Sequence, residues 1–457
     1  MCGVRCSLVK NYYRLRYEMD LCASSKNGNV DTVKLLLDAG ADVYARNSYP
    51  IYISSQNGHT NVVKLLLEAG ADVHARDSDA LCISSQNGHA GVLKLLLEAG
   101  ANVHARNSYP ICMSSQLGHV EVVKLLLEAG ADVHACDSYP IHLASQNGHT
   151  DVVKLLIEAG AYVRFDSPRW GPLHYSSMNG HTGVVKLLLE AGADVHAHNS
   201  DALCISSQNG HTDVVKLLLE AGEDVHCGNS EPICVSSERG HVEVVKLLLE
   251  AGANVHADDS SPLCLGSQNG HVEIVKMLLE AGANVHARNS YSLCTSSQNG
   301  HADIVKMLLA TGADVHADSS YSICVSSQNG HVEVVKLLLE AGANVHAHDS
   351  NPLCISSKGG HAEVVKLLLS RGAVWPGEIP LKKNVVLKPT IHSLLVATFT
   401  FRRWVRSRLM RLRLRKIALV HRVCMELQYA PPKGPFRGGI KYIESQQRFR
   451  NRGFWLS

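Results

Sequence analysis

Apolar and polar side chains follow two short patterns that take turns along most of this chain. Between Ala90 and Gly100, Val92 pairs with Leu96 and Leu93 with Leu97 at i, i+4 spacing, while Lys94 and Glu98 fall on the opposite side, which predicts an amphipathic helix. Gly100 then offers left-handed backbone to end it. The segment ahead of it, Ala80-Leu81-Cys82-Ile83-Ser84-Ser85-Gln86, predicts a shorter helix with Asp77-Ser78-Asp79 as small polar N-cap residues and Gly88 as its stop.

The pair returns every 30 residues. The block Ser54-Ser55-Gln56-Asn57-Gly58-His59 recurs as Ser84 to His89, and near-copies follow to residue 361, with one longer interval of 32 residues from His149 to His181. Counting from Leu21, twelve copies end near Trp375, and both the turn glycine (Gly28 to Gly360) and the closing glycine (Gly40 to Gly372) are present in all twelve. A helical pair this short cannot bury both of its faces alone, so neighbouring copies must stack into one continuous core. The predicted organisation is an N-terminal cap over residues 1–20, a repeat body over 21–375 and a tail over 376–457.

The run Gly58-His59-x-x-Val62-Val63-Lys64-Leu65-Leu66-Leu67-Glu68-Ala69-Gly70-Ala71-Asp72-Val73 resembles the second half of the ankyrin repeat nearly position for position, and the likeness extends over about 355 residues. The resemblance implies an all-α ankyrin-repeat solenoid that holds another protein on its concave and loop face, and a turn histidine that helps to hydrogen-bond the turn. Three residues present in the usual ankyrin repeat are missing between the Asp77 and Ala80 positions, so the protruding hairpin should be trimmed to a tight turn. Repeats shortened in this way resemble those encoded in large families by giant DNA viruses, which implies a host-cell protein as partner.

Charge divides the chain where the repeat stops. Of 44 Lys+Arg and 42 Asp+Glu, 18 and 3 lie after residue 375, so a body of −13 is followed by a tail of +15 and the sum of +2 is a cancellation. From Phe401 to Leu427 the basic residues Arg402, Arg403, Arg406, Arg408, Arg411, Arg413, Arg415 and Lys416 accompany apolar side chains at partly helical spacing. Three readings stand for this tail: a helix covering the last repeat, a site for nucleic acid or an anionic surface, or a segment with no selected role. Apolar runs are far shorter than the roughly 20 residues needed to span a bilayer. The start of the chain, Met1 to Cys6, lacks the apolar core of a secretory signal, so an intracellular monomer in the cytoplasm or nucleus is expected.

Candidate chemistry changes little. Nine of the 14 Cys hold one repeat position, from Cys22 to Cys354. Stacking would space them by about 10 Å, beyond the roughly 7 Å between Cα atoms that a disulfide tolerates. Small buried packing thiols are therefore expected, with neither metal nor cofactor. Twenty of the 26 His are likewise repeat positions, and no phosphate-binding loop or zinc-helix motif occurs. The chain is expected not to be an enzyme.

Twelve internal copies separate fixed positions from variable ones. The variable ones cluster at Arg46, Arg76, Arg106, Cys136, His198, Asp258, Arg288, Asp318 and His348, and three residues later at a site that holds Asp79, Asp201, Glu231, Ser261 and Asn351 in some copies and Tyr49, Tyr109, Tyr139, Tyr291 and Tyr321 in others. Loop tips on a rigid scaffold are where binding residues sit, and Tyr adds contact area at low entropic cost, so these tyrosines are the candidate partner-binding residues. Arg169 and Trp170 join them from the longer loop, where Trp170 either anchors a partner or folds back over an irregular joint.

Overall fold

The computed structural model describes residues 19–164, 171–347 and 352–373. Each copy is two antiparallel helices, and no strand occurs among the described residues. In the third copy the helices are Ala75–Gln86 and Ala90–Glu98. First helices pack on the first helices of neighbouring copies and second helices on second helices, from Val30–Asp38 through Ala362–Ser370. The fold is thus the all-α ankyrin solenoid, with the trimmed hairpin replaced by a turn. The chain divides into one compact unit over 1–375 and another over 376–457, and all described residues belong to the first. No described helix is long and apolar enough to cross a membrane.

The apolar spacing builds the core as read. Val92, Leu93 and Leu96 of the second helix are fully buried with Leu81 of the first, while Lys94 and Glu98 face water. Burying one such aliphatic side chain contributes about 1.5–3 kcal/mol, and the set recurs from the second copy to the eleventh as Val62-Val63-Leu66 or its equivalent, thinning to Val33 in the first copy and to Val364 and Leu368 in the twelfth. The outward Lys and Glu make exposed contacts, from Lys366 to Glu363 at 2.7 Å to Lys186 to Glu190 at 4.0 Å, worth a few tenths of a kcal/mol. Solubility is their main contribution.

Both glycine stops behave as the spacing predicts. Gly58 has φ +75°; His59 N–H reaches back to Ser54 O at 2.9 Å and Gly58 N–H to Ser55 O at 3.3 Å. That bonding closes the helix by the Schellman pattern. In the closing loop, Asp72 Oδ1 accepts the N–H of His74 at 2.8 Å, and Asn102 does the same for His104 at 3.0 Å. This Asx-type turn explains why the position holds only Asp or Asn in those copies.

One expectation is corrected. Asp77 and Ser78 do not precede the helix as ordinary N-cap residues: Arg76, Asp77 and Ser78 have φ of 54°, 59° and 54°, one turn of left-handed backbone. The same triplet appears at 46–48, 106–108, 228–230, 258–260, 288–290 and 318–320. Left-handed backbone costs an L-residue about 1–2 kcal/mol, and Asn and Asp bear it best. That preference explains Asn47, Asp77, Asn107, Asn229, Asp259 and Asn289 at the centre of their triplets. The polar side chains work across the stack: Ser78 Oγ accepts Asn102 N–H at 3.2 Å, and Asp77 Oδ2 accepts Arg106 N–H at 2.9 Å.

Candidate partner-binding edge

Each repeat has two edges, one at the Gly-His turn and one at the left-handed tip. The turn edge is an inter-copy zipper. His59 Nε2 lies 2.9 Å from Lys26 O, and because a carbonyl only accepts, Nε2 carries the proton. Asn57 Nδ2 donates to the same oxygen at 3.1 Å. All eleven turn histidines make this contact, for example His89 to Gln56 O at 3.0 Å and His361 to Gln328 O at 2.8 Å. The turn histidine therefore ties its copy to the preceding one rather than bracing its own turn. It also explains the glycine a second time, since a Cβ on Gly28 would come within 2.6 Å of His59 Nδ1.

The tip edge is assembled differently from copy to copy. Arg76 Nη2 donates to Arg46 O at 3.0 Å. Arg106 pairs with Asp79, and Arg288 Nη2 lies 3.2 Å from Asp258 Oδ2. Each arginine thus clips its tip to the left-handed turn of the copy before. Burial lifts the Asp79 carboxyl above its ordinary range, with the Arg106 guanidinium opposing the shift. The variable residues are consequently not idle, because several already bind one another.

The candidate tyrosines fall in two groups. Tyr139 and Tyr321 are exposed, at 37% and 41%. Tyr49, Tyr109 and Tyr291 are half-buried: the Tyr49 ring sits 6.1 Å from the Tyr52 ring, and the Tyr109 hydroxyl donates to Gln86 Oε1 at 3.1 Å. Burial raises the pKa of the Tyr291 and Tyr321 hydroxyls. All five occupy one repeat position at the start of a first helix, so stacking sets them along the same edge. Arg169, Trp170 and the tail residues from Arg402 to Lys416 lie outside the described residues.

The ladder cysteines are packing thiols in the sense expected. Burial pushes Cys82, Cys294 and Cys324 up to about 12. Two described thiols lie outside the ladder, and the sequence reading missed the second. Cys136 takes the place of a clipping arginine and sits 3.6 Å from Asn107 O, while Cys227 stands where other copies have Ala and brings its Sγ to 3.6 Å from Cys204 Sγ. A buried carboxylate was missed too: Glu223, at another Ala position, lies 3.0 Å from His196 Nδ1. The signal for both was a reactive side chain breaking an Ala column. No cluster of three or more His, Cys, Asp or Glu able to hold a metal ion occurs among the described residues.

Comparison with known proteins agrees with this architecture. A family model described as ankyrin repeats in three copies matches four times, over residues 21–107, 111–199, 203–289 and 293–375. Each match begins at the first core Leu or Ile of a copy and takes in three, which accounts for all twelve. A search of curated proteins finds no match. The chain belongs to the ankyrin-repeat family.

Proposed function

We propose that this chain is a non-enzymatic scaffold that holds a partner protein along its tip edge. Ankyrin repeats generally mediate protein–protein interaction. The observation that carries the reading here is the contrast within one repeat: the turn-edge histidine and glycine keep one contact in copy after copy, while the tip-edge residues change. Tyr49, Tyr109, Tyr139, Tyr291 and Tyr321 are the proposed contacts, with Arg169 and Trp170 of the longer loop beside them. The likeness to viral repeats makes a host-cell protein the partner class to assay first. Chemical cross-linking of the full chain in a cell extract, read by mass spectrometry, tests this: cross-links concentrated on residues at the tip positions support it, and cross-links confined to the Lys64-type residues of the second helices contradict it.

The charge of the tail supports a second reading, a tether to nucleic acid or an anionic surface through Arg402, Arg403, Arg406, Arg408, Arg411, Arg413, Arg415 and Lys416. Retention of the full chain on heparin that is lost on deleting 376–457 and falls steeply with salt is the expected result. Retention by the body alone would remove that reading.

A further inference from the structure

Ten of the copies have described residues at the column that holds Ala45 and Ala75, and in one of them, at Cys227, alanine is replaced by a thiol. Its Sγ lies 3.6 Å from the Sγ of Cys204, on the first helix of the preceding copy, with a thiol hydrogen bond between them. Both thiols are reduced. The residue that follows is equally particular to this copy. Gly228 fills the first left-handed position, where other copies carry Arg46, Arg76, Arg106, Asp258, Arg288 or Asp318. A Cβ there would already lie 3.7 Å from Cys204 Sγ, so a longer side chain would crowd the pair. Cys204 is half-buried, as are the ladder thiols Cys294 and Cys354, whereas Cys82, Cys234 and Cys264 are buried.

The pair also sits where the arginine clip is missing. Arg76 and Arg106 tie the early tips to the copies before them, and Arg288 ties a later one. At Gly228 no such side chain exists, and the contact with the preceding copy passes to sulfur instead. Among the described residues the other cysteine outside the ladder repeats the arrangement: Cys136 replaces a clipping arginine and lies near enough to the ladder thiol Cys112 to hydrogen-bond with it. These two described cysteines outside the ladder each lie against a ladder cysteine one copy earlier, which distinguishes the pairs from the ladder itself.

We propose that Cys204 and Cys227 are a modification site, a thiol pair that a hydroperoxide converts into a disulfide stapling the seventh copy to the eighth. A disulfide needs the sulfurs at about 2.05 Å, so they must close by about 1.5 Å, within reach of side-chain rotation and a small shift of the left-handed turn. The chemistry balances as follows. One thiolate attacks the terminal peroxide oxygen, breaking the O–O bond, giving a sulfenic acid and releasing the alcohol or water. The second sulfur then attacks the sulfenic sulfur, forming the S–S bond and expelling water, so two electrons pass from the sulfurs to the peroxide. The pKa of Cys204 is raised by its hydrogen bond to Cys227 and by burial, which keeps that sulfur in thiol form near neutrality and makes its oxidation faster with rising pH. The staple closes a loop that runs through the second helix Thr212–Glu220, at the part of the tip edge that carries Asp201 and Glu231.

Treating the full chain with hydrogen peroxide, alkylating the remaining thiols and digesting with trypsin tests the proposal. The expected product joins Leu187–Lys216 to Leu217–Arg239, with fragmentation placing the link on Cys227 and the alkyl label on Cys234. It should form within single molecules, be reversed by dithiothreitol and fall at least tenfold in Cys227→Ala. That variant keeps the fold because alanine is the residue of neighbouring copies at Ala197 and Ala257. Absence of the link, its persistence in Cys227→Ala through Cys234, or formation only between molecules would each overturn the proposal.

Discussion

At the turn edge of each repeat, Gly58 and His59 do in the second copy what Gly330 and His331 do in the eleventh: the glycine takes left-handed backbone and the histidine reaches back to the preceding copy's carbonyl. At the tip edge the backbone is regular too, with three left-handed residues at seven of the described tips, but the side chains are not: an arginine clips one tip, a cysteine contacts the preceding copy at another, and a glycine stands at a third. Repeated stacking needs a contact that each copy can both donate and accept, and one histidine-to-carbonyl bond meets that need. Once stacking is secured there, the opposite edge is released to vary. On the function proposed above, the work of recognition would fall on the edge opposite the one where the histidine bond is constant.

Four perturbations separate the edges. Alkali has the largest expected effect, since it acts on the thiols beneath the tip edge and on none at the turn. Cys82, Cys112, Cys294 and Cys324 are held up to about 12 by burial, against an ordinary value of 9.0. Between those values the unfolded chain binds fewer protons than the folded one, so stability is intact below pH 9 and falls as pH rises toward 12. The urea midpoint should drop between pH 8 and 10.5, and Cys82→Ala should shrink that drop.

Glycine comes next. A Cβ on Gly210 would meet His241 Nδ1 at 2.5 Å, whereas one on the closing Gly222 meets nothing within 4 Å. With left-handed strain common to both, Gly210→Ala should cost roughly 3 kcal/mol or more and Gly222→Ala about 1 kcal/mol in urea unfolding. Equal costs would remove the histidine from the explanation. His241→Ala, which deletes the bond to Gln208 O at 3.0 Å, should cost about 1–2 kcal/mol. The exposed closing-loop His256 should cost below about 0.5 kcal/mol as Ala.

The smallest effect concerns the serine pairs. Ser236 Oγ donates to Pro232 O at 2.7 Å, while the buried Ser237 Oγ has no hydrogen-bond partner. Ser237→Ala should therefore leave stability unchanged or raise it by up to about 1 kcal/mol, and Ser236→Ala should lower it by a similar amount. Thermal melts of the two variants side by side read the sign directly.

Much of the stack was legible in the sequence because its determinants repeat in phase. Val92, Leu93, Leu96 and the two glycine stops announce the helices and their ends. What escaped joins different phases. His59 bonds a carbonyl 33 residues back, and Cys227 meets a thiol 23 residues back, so comparing like positions 30 apart sees neither. The left-handed triplets were hidden for another reason: Asp77-Ser78 suits an N-cap as well as left-handed backbone, and only the recurring Asn or Asp at the centre distinguishes the two. At the tip edge, sequence variability marked the edge but not that Arg76 and Arg106 are already engaged across copies.

The division of labour between the edges is tested most directly by replacing Tyr49, Tyr109, Tyr139, Tyr291 and Tyr321 together with Ala in the full chain, then measuring partner capture and thermal melting on the same preparation. The account predicts that capture is lost while the melting temperature stays within a few degrees of the parent. Capture undiminished in a folded variant would contradict it.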